Sequence, residues 1–194
     1  MKINKKNLFK IIMFIMILFF SILLGNRLFK IYKIEKINSK NLVYFFDTTK
    51  EQEIEYSEQK DEMYIGVLKI EKVNLNRGFY DKKSKLNKVS KNIQVLDESD
   101  MPDIEFGNVI LAAHSGNSSV SFFKNLSKLK INDYAFIYYK NKEYKYSLKR
   151  IYEIEKNGTA IIKRDINKNT LTLITCKSKT KKQIVFIFEL EKIE

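Results

Sequence analysis

The sequence holds few of the residues from which many active sites are built: one cysteine, Cys176, and one histidine, His114, in 194 residues. A single cysteine excludes an intrachain disulfide, and together with a single histidine it cannot furnish an ordinary structural zinc site. No acidic cluster is distinctive enough to assign a metal, and no cofactor is expected. Internal repeats and low-complexity tracts are absent. A nucleic-acid motif is missing too, although the formal charge is +13. Of that charge residues 1–36 carry +7, leaving +6 over the rest of the chain. A solvated surface accounts for such an excess, so no nucleic-acid partner is expected.

What is present is enough apolar material for a core, 44% hydrophobic residues with 13% aromatics. The length suits one domain with an appendage. The appendage is N-terminal. After a lysine-rich start, "IIMFIMILFFSILL" runs from Ile11 to Leu24 with Ser21 as its one polar residue. Taken as helix, residues 8–25 reach about 27 Å, which crosses a bilayer core. No small-x-small cleavage pattern follows Leu24, so an uncleaved signal anchor is preferred over a cleaved signal peptide. The segment has no polar face, which argues against a core helix. Residues 1–10 then form a basic tail, 26–62 a polar stalk that is partly helical, and 63–194 the folded domain. Orientation stays open on charge alone, because Arg27, Lys30, Lys33 and Lys36 oppose Lys2, Lys5, Lys6 and Lys10.

From about Met63 short apolar runs alternate with turn signals. Strands are expected at 64–70, 75–80, 92–96, 108–114, 134–139, 143–154, 171–176 and 183–190, the spacing of a closed or nearly closed all-β barrel. Tyr144, Tyr146 and Leu148 alternate with charged and polar residues, which gives that strand one buried face. Lys140, Asn141 and Lys142 supply the hairpin before it, with Asn141 tolerant of positive φ. "SSVSFFKNLSKLK", 118–130, reads as a helix capped by Ser118 or Ser119, with Val120, Phe123, Leu126 and Leu129 on one face.

His114, in "VILAAHSGN", and Cys176, in "LTLITC", each end an apolar strand, where loops build sites on a rigid scaffold. A free thiol with a pKa of about 8.5 is only a few per cent thiolate at neutral pH, and an adjacent imidazolium shifts it toward the nucleophile. The same imidazole can protonate a leaving amine. The pair is therefore a candidate for acyl transfer through a thioester.

These residues resemble the sortases, membrane-anchored cysteine transpeptidases of Gram-positive bacteria. "TLTLITC" is similar to their TLxTC signature through Thr172, Leu173, Thr175 and Cys176. "LAAHSGN" resembles their histidine segment, and the order anchor, stalk, histidine, cysteine is also theirs. The resemblance covers roughly residues 63–190. It implies an eight-stranded sortase-type β-barrel with one or two short helices behind a transmembrane helix, and Cys176 and His114 facing each other in a groove. It also implies a single-pass cell-membrane protein with an extracellular catalytic domain. Its partners would be an LPxTG-like sorting-signal peptide of a secreted protein and an amine acceptor, from a cell-wall precursor or a pilin lysine. Thr175 would support substrate or oxyanion.

One position departs from the pattern. Sortases carry an arginine at the start of the strand after the cysteine, and no arginine follows Arg164 here. Gln183 falls at that position with Lys182 beside it. Gln183 can donate a hydrogen bond without charge, whereas Lys182 brings a mobile charge without a planar fork. The departure keeps two alternatives open, a weak or idle peptide-binding module and a hydrolytic cysteine peptidase.

Overall fold

Six of the seven residues of Thr170–Cys176 are buried, so this strand lies inside a sheet and is covered on both faces. A computed structural model describes residues 5–47, 63–156, 160–177 and 180–194 of the chain. Its strands are β1 (Gly66–Ile70), β2 (Leu75–Phe79), β3 (Gln94–Val95), β4 (Asn108–Ala112), β5 (Tyr134–Tyr139), β6 (Lys142–Glu155), β7 (Thr170–Cys176) and β8 (Lys182–Ile193). They form one sheet in the order β2-β1-β5-β6-β8-β7-β4-β3. Every pairing is antiparallel except β4 with β7. The edge strands β2 and β3 are drawn together by side chains. Arg77 Nε donates to Asn92 Oδ1 at 2.9 Å, and Asn92 Nδ2 donates to the Gly78 carbonyl at 2.8 Å. The sheet is thereby an eight-stranded, nearly closed barrel, as the strand pattern led one to expect.

Local chemistry explains the turns. Lys140 and Asn141, at φ 48° and 59°, make the two-residue connection between Tyr139 and Lys142, the geometry whose twist matches a hairpin. β6 runs for fourteen residues and bends at register shifts between Lys145 and Tyr146 and between Leu148 and Arg150. Gly78 is required by close packing, because a Cβ there would lie 1.9 Å from the Tyr64 ring. The interior is filled by alternate residues of the strands, among them Leu68, Phe79, Leu111, Tyr146, Leu173 and Phe188, none more than 1% exposed. Each such leucine or phenylalanine side chain contributes about 1.5–3 kcal/mol on burial.

The helix expected over 118–130 is not formed. The segment is a run of turns with a 3₁₀ helix at Leu126–Lys128. Ser121 Oγ accepts from the Ser118 amide at 3.1 Å and lies 2.9 Å from Ser118 Oγ, so hydroxyls satisfy groups that a helix would use. The amides of Leu126 and Leu129 bond three residues back, to Phe123 and Leu126. Phe123, Leu126 and Leu129 are buried as expected, but their three-residue spacing reports 3₁₀ turns.

The chain divides into two units, Met1–Ile37 and Asn38–Glu194. The helix α1 (Lys5–Asp47) continues well beyond Gly25, where the apolar run ends. It is long and apolar enough to cross a membrane. Its last turns belong to the barrel unit. There Asn38 donates to the Asn76 carbonyl at 3.2 Å and accepts from Tyr64 Oη at 3.0 Å, and Phe46 packs edge-on against Tyr138. Of the expected stalk, 26–47 is thus helical, and 48–62 lies outside the described residues.

Candidate active site

The parallel pairing of β4 with β7 runs in register from Asn108 with Thr170 to Ala112 with Ile174. Two residues further along each strand stand His114 and Cys176, so equal steps from one register bring the two unusual residues to neighbouring strand ends. Three bonds hold those ends. The Ala113 amide reaches the Ile174 carbonyl at 3.3 Å, Thr175 Oγ1 donates to the Ala113 carbonyl at 2.8 Å, and the Ser115 hydroxyl donates to the Cys176 carbonyl. The Phe123 amide donates to the His114 carbonyl at 3.0 Å, which folds the following connection back over the histidine. Cys176 is a free thiol, and both it and His114 are half-buried, open to a reactant while fixed by backbone.

On the other side of β7, Cys176 is paired directly with Gln183 of β8. Directly opposed residues of antiparallel strands share a face, with Cβ atoms about 4.5–5.5 Å apart. Gln183, itself half-buried, is therefore the side chain that the sheet sets beside the thiol. Alternation puts Lys182 and Lys177 on the opposite face. There Lys177 and Lys182 pair with Glu153, the latter at 3.7 Å, and Lys182 also approaches Glu155 at 3.9 Å. The hydrogen bond from Lys177, with the nearby charges of Lys177 and Lys182, holds the Glu153 carboxyl below its ordinary range. Thr175 is 4% exposed and spends its hydroxyl on Ala113.

The face that carries Cys176 and Gln183 is apolar below them. Ile110, Ile174, Val185 and Ile187 form a second cluster there, joined by Ala112, Tyr152 and Ile154 and covered by Ala160 and Ile162. Tyr152 Oη donates to the Ile161 carbonyl at 2.9 Å and accepts from the Lys163 amide at 2.8 Å, which fastens residues 160–163 over this floor. Sequence reasoning passed over Ser115, Tyr152 and Arg77. Ser115 had a visible signal, since it directly follows the histidine. The partners of the other two lie nine or more residues away, Ile161 and Lys163 for Tyr152 and Asn92 and Phe122 for Arg77. Among the described residues, no three His, Cys, Asp or Glu side chains are grouped to hold a metal ion.

The chain is similar to known proteins. The family model described as Sortase domain matches residues 68–190. Over 192 residues the chain is 23% identical to sortase A of Bacillus anthracis, covering 90% of each. Among solved structures, a Clostridium perfringens sortase D5 transpeptidase superposes with a TM-score of 0.63 at 22% identity, covering 81% of this chain and 99% of that one. A Clostridium perfringens sortase C with the C-terminal cell wall sorting motif gives a TM-score of 0.59 at 22% identity, covering 84% and 88%.

Proposed function

This chain belongs to the sortase family, and from that premise we propose that it is an active cysteine transpeptidase acting on LPxTG-like sorting signals of secreted proteins. The observation that carries the reading is the parallel register of β4 and β7, which delivers His114 and Cys176 to adjacent strand ends. The Cys176 thiolate attacks the scissile carbonyl, giving a tetrahedral oxyanion. As the C–N bond breaks, His114 gives its proton to the departing amine, and the acyl group stays on Cys176 as a thioester. An incoming amine, from a cell-wall precursor or a pilin lysine, attacks the thioester and passes a proton back to His114, and the thiolate leaves. One amide replaces another, so no energy source is needed.

The apolar floor under Cys176 suits the apolar residue of such a signal, upstream of the scissile bond. Gln183 takes the place of the family's arginine as a neutral donor to the carbonyl oxygen, and Lys182, held by glutamates on the other face, does not. Thr175 supports the site through the backbone of Ala113. α1 anchors the enzyme in the cell membrane with the barrel outside.

The neutral Gln183 favours one second reading, a slow or idle family member that binds sorting peptides, because loss of one oxyanion donor costs about 10² to 10³ in rate. Incubating the full chain in detergent micelles with a sorting peptide and a small amine separates the readings. Transpeptidation gives the amine-capped acyl product, and this product is absent with Cys176→Ala. A hydrolytic cysteine peptidase releases free acid whatever amine is added. An idle module binds the peptide and releases neither.

A further inference from the structure

Arg77 is a charged residue in the middle of β2, and it is only 5% exposed. Burying a guanidinium is costly unless its donors are used. An apolar side chain would fill the same space without that penalty, so what matters here is what only a planar, charged fork supplies. Its Nε bonds Asn92 Oδ1 at 2.9 Å, and its guanidinium carbon sits 3.9 Å from the centre of the Phe122 ring. One side chain of β2 thus holds two separate segments, the entry to β3 and the connection that follows β4.

Both segments lead to the histidine. β3 pairs with β4 through Gln94 with Ala112 and Val95 with Leu111. Asn92 stands two residues before Gln94, as His114 stands two residues after Ala112. On the other side, Phe122 is followed by Phe123, which is 1% exposed and whose amide donates to the His114 carbonyl. His114 is thus bonded directly by Phe123 and follows the strand with which β3 pairs, and Arg77 holds Asn92 at the entry to β3 and the ring next to Phe123.

We infer that Arg77 is a positioning residue for His114, holding the histidine-bearing strand end against Cys176 by clasping Asn92 and stacking on Phe122. The inference rests on the reading of His114 and Cys176 as the reacting pair, and it assigns Arg77 no contact with substrate. Geometry of this kind controls rate more than binding, and a misplacement of about 1 Å costs on the order of 10²-fold.

Three readings on the full chain in detergent micelles test it. They are the rate of thioester formation with a sorting peptide, the rate of Cys176 alkylation by iodoacetamide, and the ring resonances of His114, unambiguous because the chain has one histidine. Arg77→Met should slow thioester formation by roughly tenfold to 100-fold, with KM for the peptide unchanged. It should also shift the His114 resonances and change the alkylation rate. Phe122→Leu, which removes only the ring under the guanidinium, should reproduce the change in smaller measure, and it serves if Arg77→Met does not fold. Arg77→Lys, which restores charge without the plane, should recover Tm more than rate. If both Arg77→Met and Phe122→Leu lower Tm but leave the His114 resonances and alkylation at wild-type values, the clasp only closes the barrel and the inference is overturned. A wild-type chain that forms no thioester would count against the transpeptidase reading, while the resonances and alkylation rates would still judge Arg77.

Discussion

The Ser115 hydroxyl donates to the carbonyl of Cys176, so the residue after the histidine is tied to the cysteine itself. The two strand ends that bear the reacting groups are laced from both directions, by Ser115 onto β7 and by Thr175 onto β4. Such lacing sets distance before substrate arrives, which is where an enzyme of two side chains gains much of its rate.

Removing one lace should be felt more in rate than in stability. Ser115→Ala should cost about 1 kcal/mol of unfolding free energy, the net worth of one hydrogen bond. Denaturant midpoints with an unchanged slope would register that loss. Thioester formation should fall several-fold or more in single-turnover assays.

Gln183 and Lys182 are neighbours on opposite faces of β8, and they should behave differently. Gln183→Ala should lower acyl-enzyme formation by roughly 10². Lys182→Ala should leave it near the wild-type rate, because its ammonium is engaged with Glu153 and Glu155. Single-turnover kinetics with one sorting peptide make the comparison, and equal losses in the two variants would remove Gln183 from its proposed place.

Tyr152 fastens the segment over the apolar floor with two hydrogen bonds. Tyr152→Phe keeps the ring and deletes both, worth about 1 kcal/mol each. Steady-state kinetics should show KM rising with kcat little changed, the signature of lost ground-state binding.

The Glu153 carboxyl is lowered chiefly by its hydrogen bond from Lys177. A carboxyl that ionises more readily when folded contributes stability above its ordinary pKa, 4.5 for this group, and the contribution is lost as pH falls below that value. Glu153→Gln should therefore flatten the fall in Tm between about pH 5 and pH 3 relative to wild type. Its effect at pH 7 should be small, since the pair is exposed to solvent.

Much of this architecture can be read from the chain because strand alternation is a local signal. Tyr144, Tyr146 and Leu148 announce their buried face whatever they pack against. His114 and Cys176 stand out because each is unique and each closes an apolar run. The 118–130 segment misled for a physical reason, since a three-residue apolar period fits a helix face and a series of 3₁₀ turns alike. The hydroxyls of Ser118 and Ser121 decided between them. Hydropathy marks where an apolar run ends, and helicity in α1 continues through polar residues such as Asn38 that find partners on the barrel. Arg77 and Tyr152 gave no local sign, because their partners, Asn92, Phe122 and Ile161, reach them only after the fold has formed.

In the proposed reaction Cys176, aided by His114, takes an acyl group from a sorting signal. Mass spectrometry of the full chain in detergent micelles, incubated with a degenerate library of sorting peptides, tests it most directly. A thioester adduct should appear on Cys176 with a mass that identifies the peptide, lost in Cys176→Ala and strongly reduced in His114→Ala. No adduct from any peptide, together with alkylation of Cys176 no faster than that of a free thiol, would contradict it.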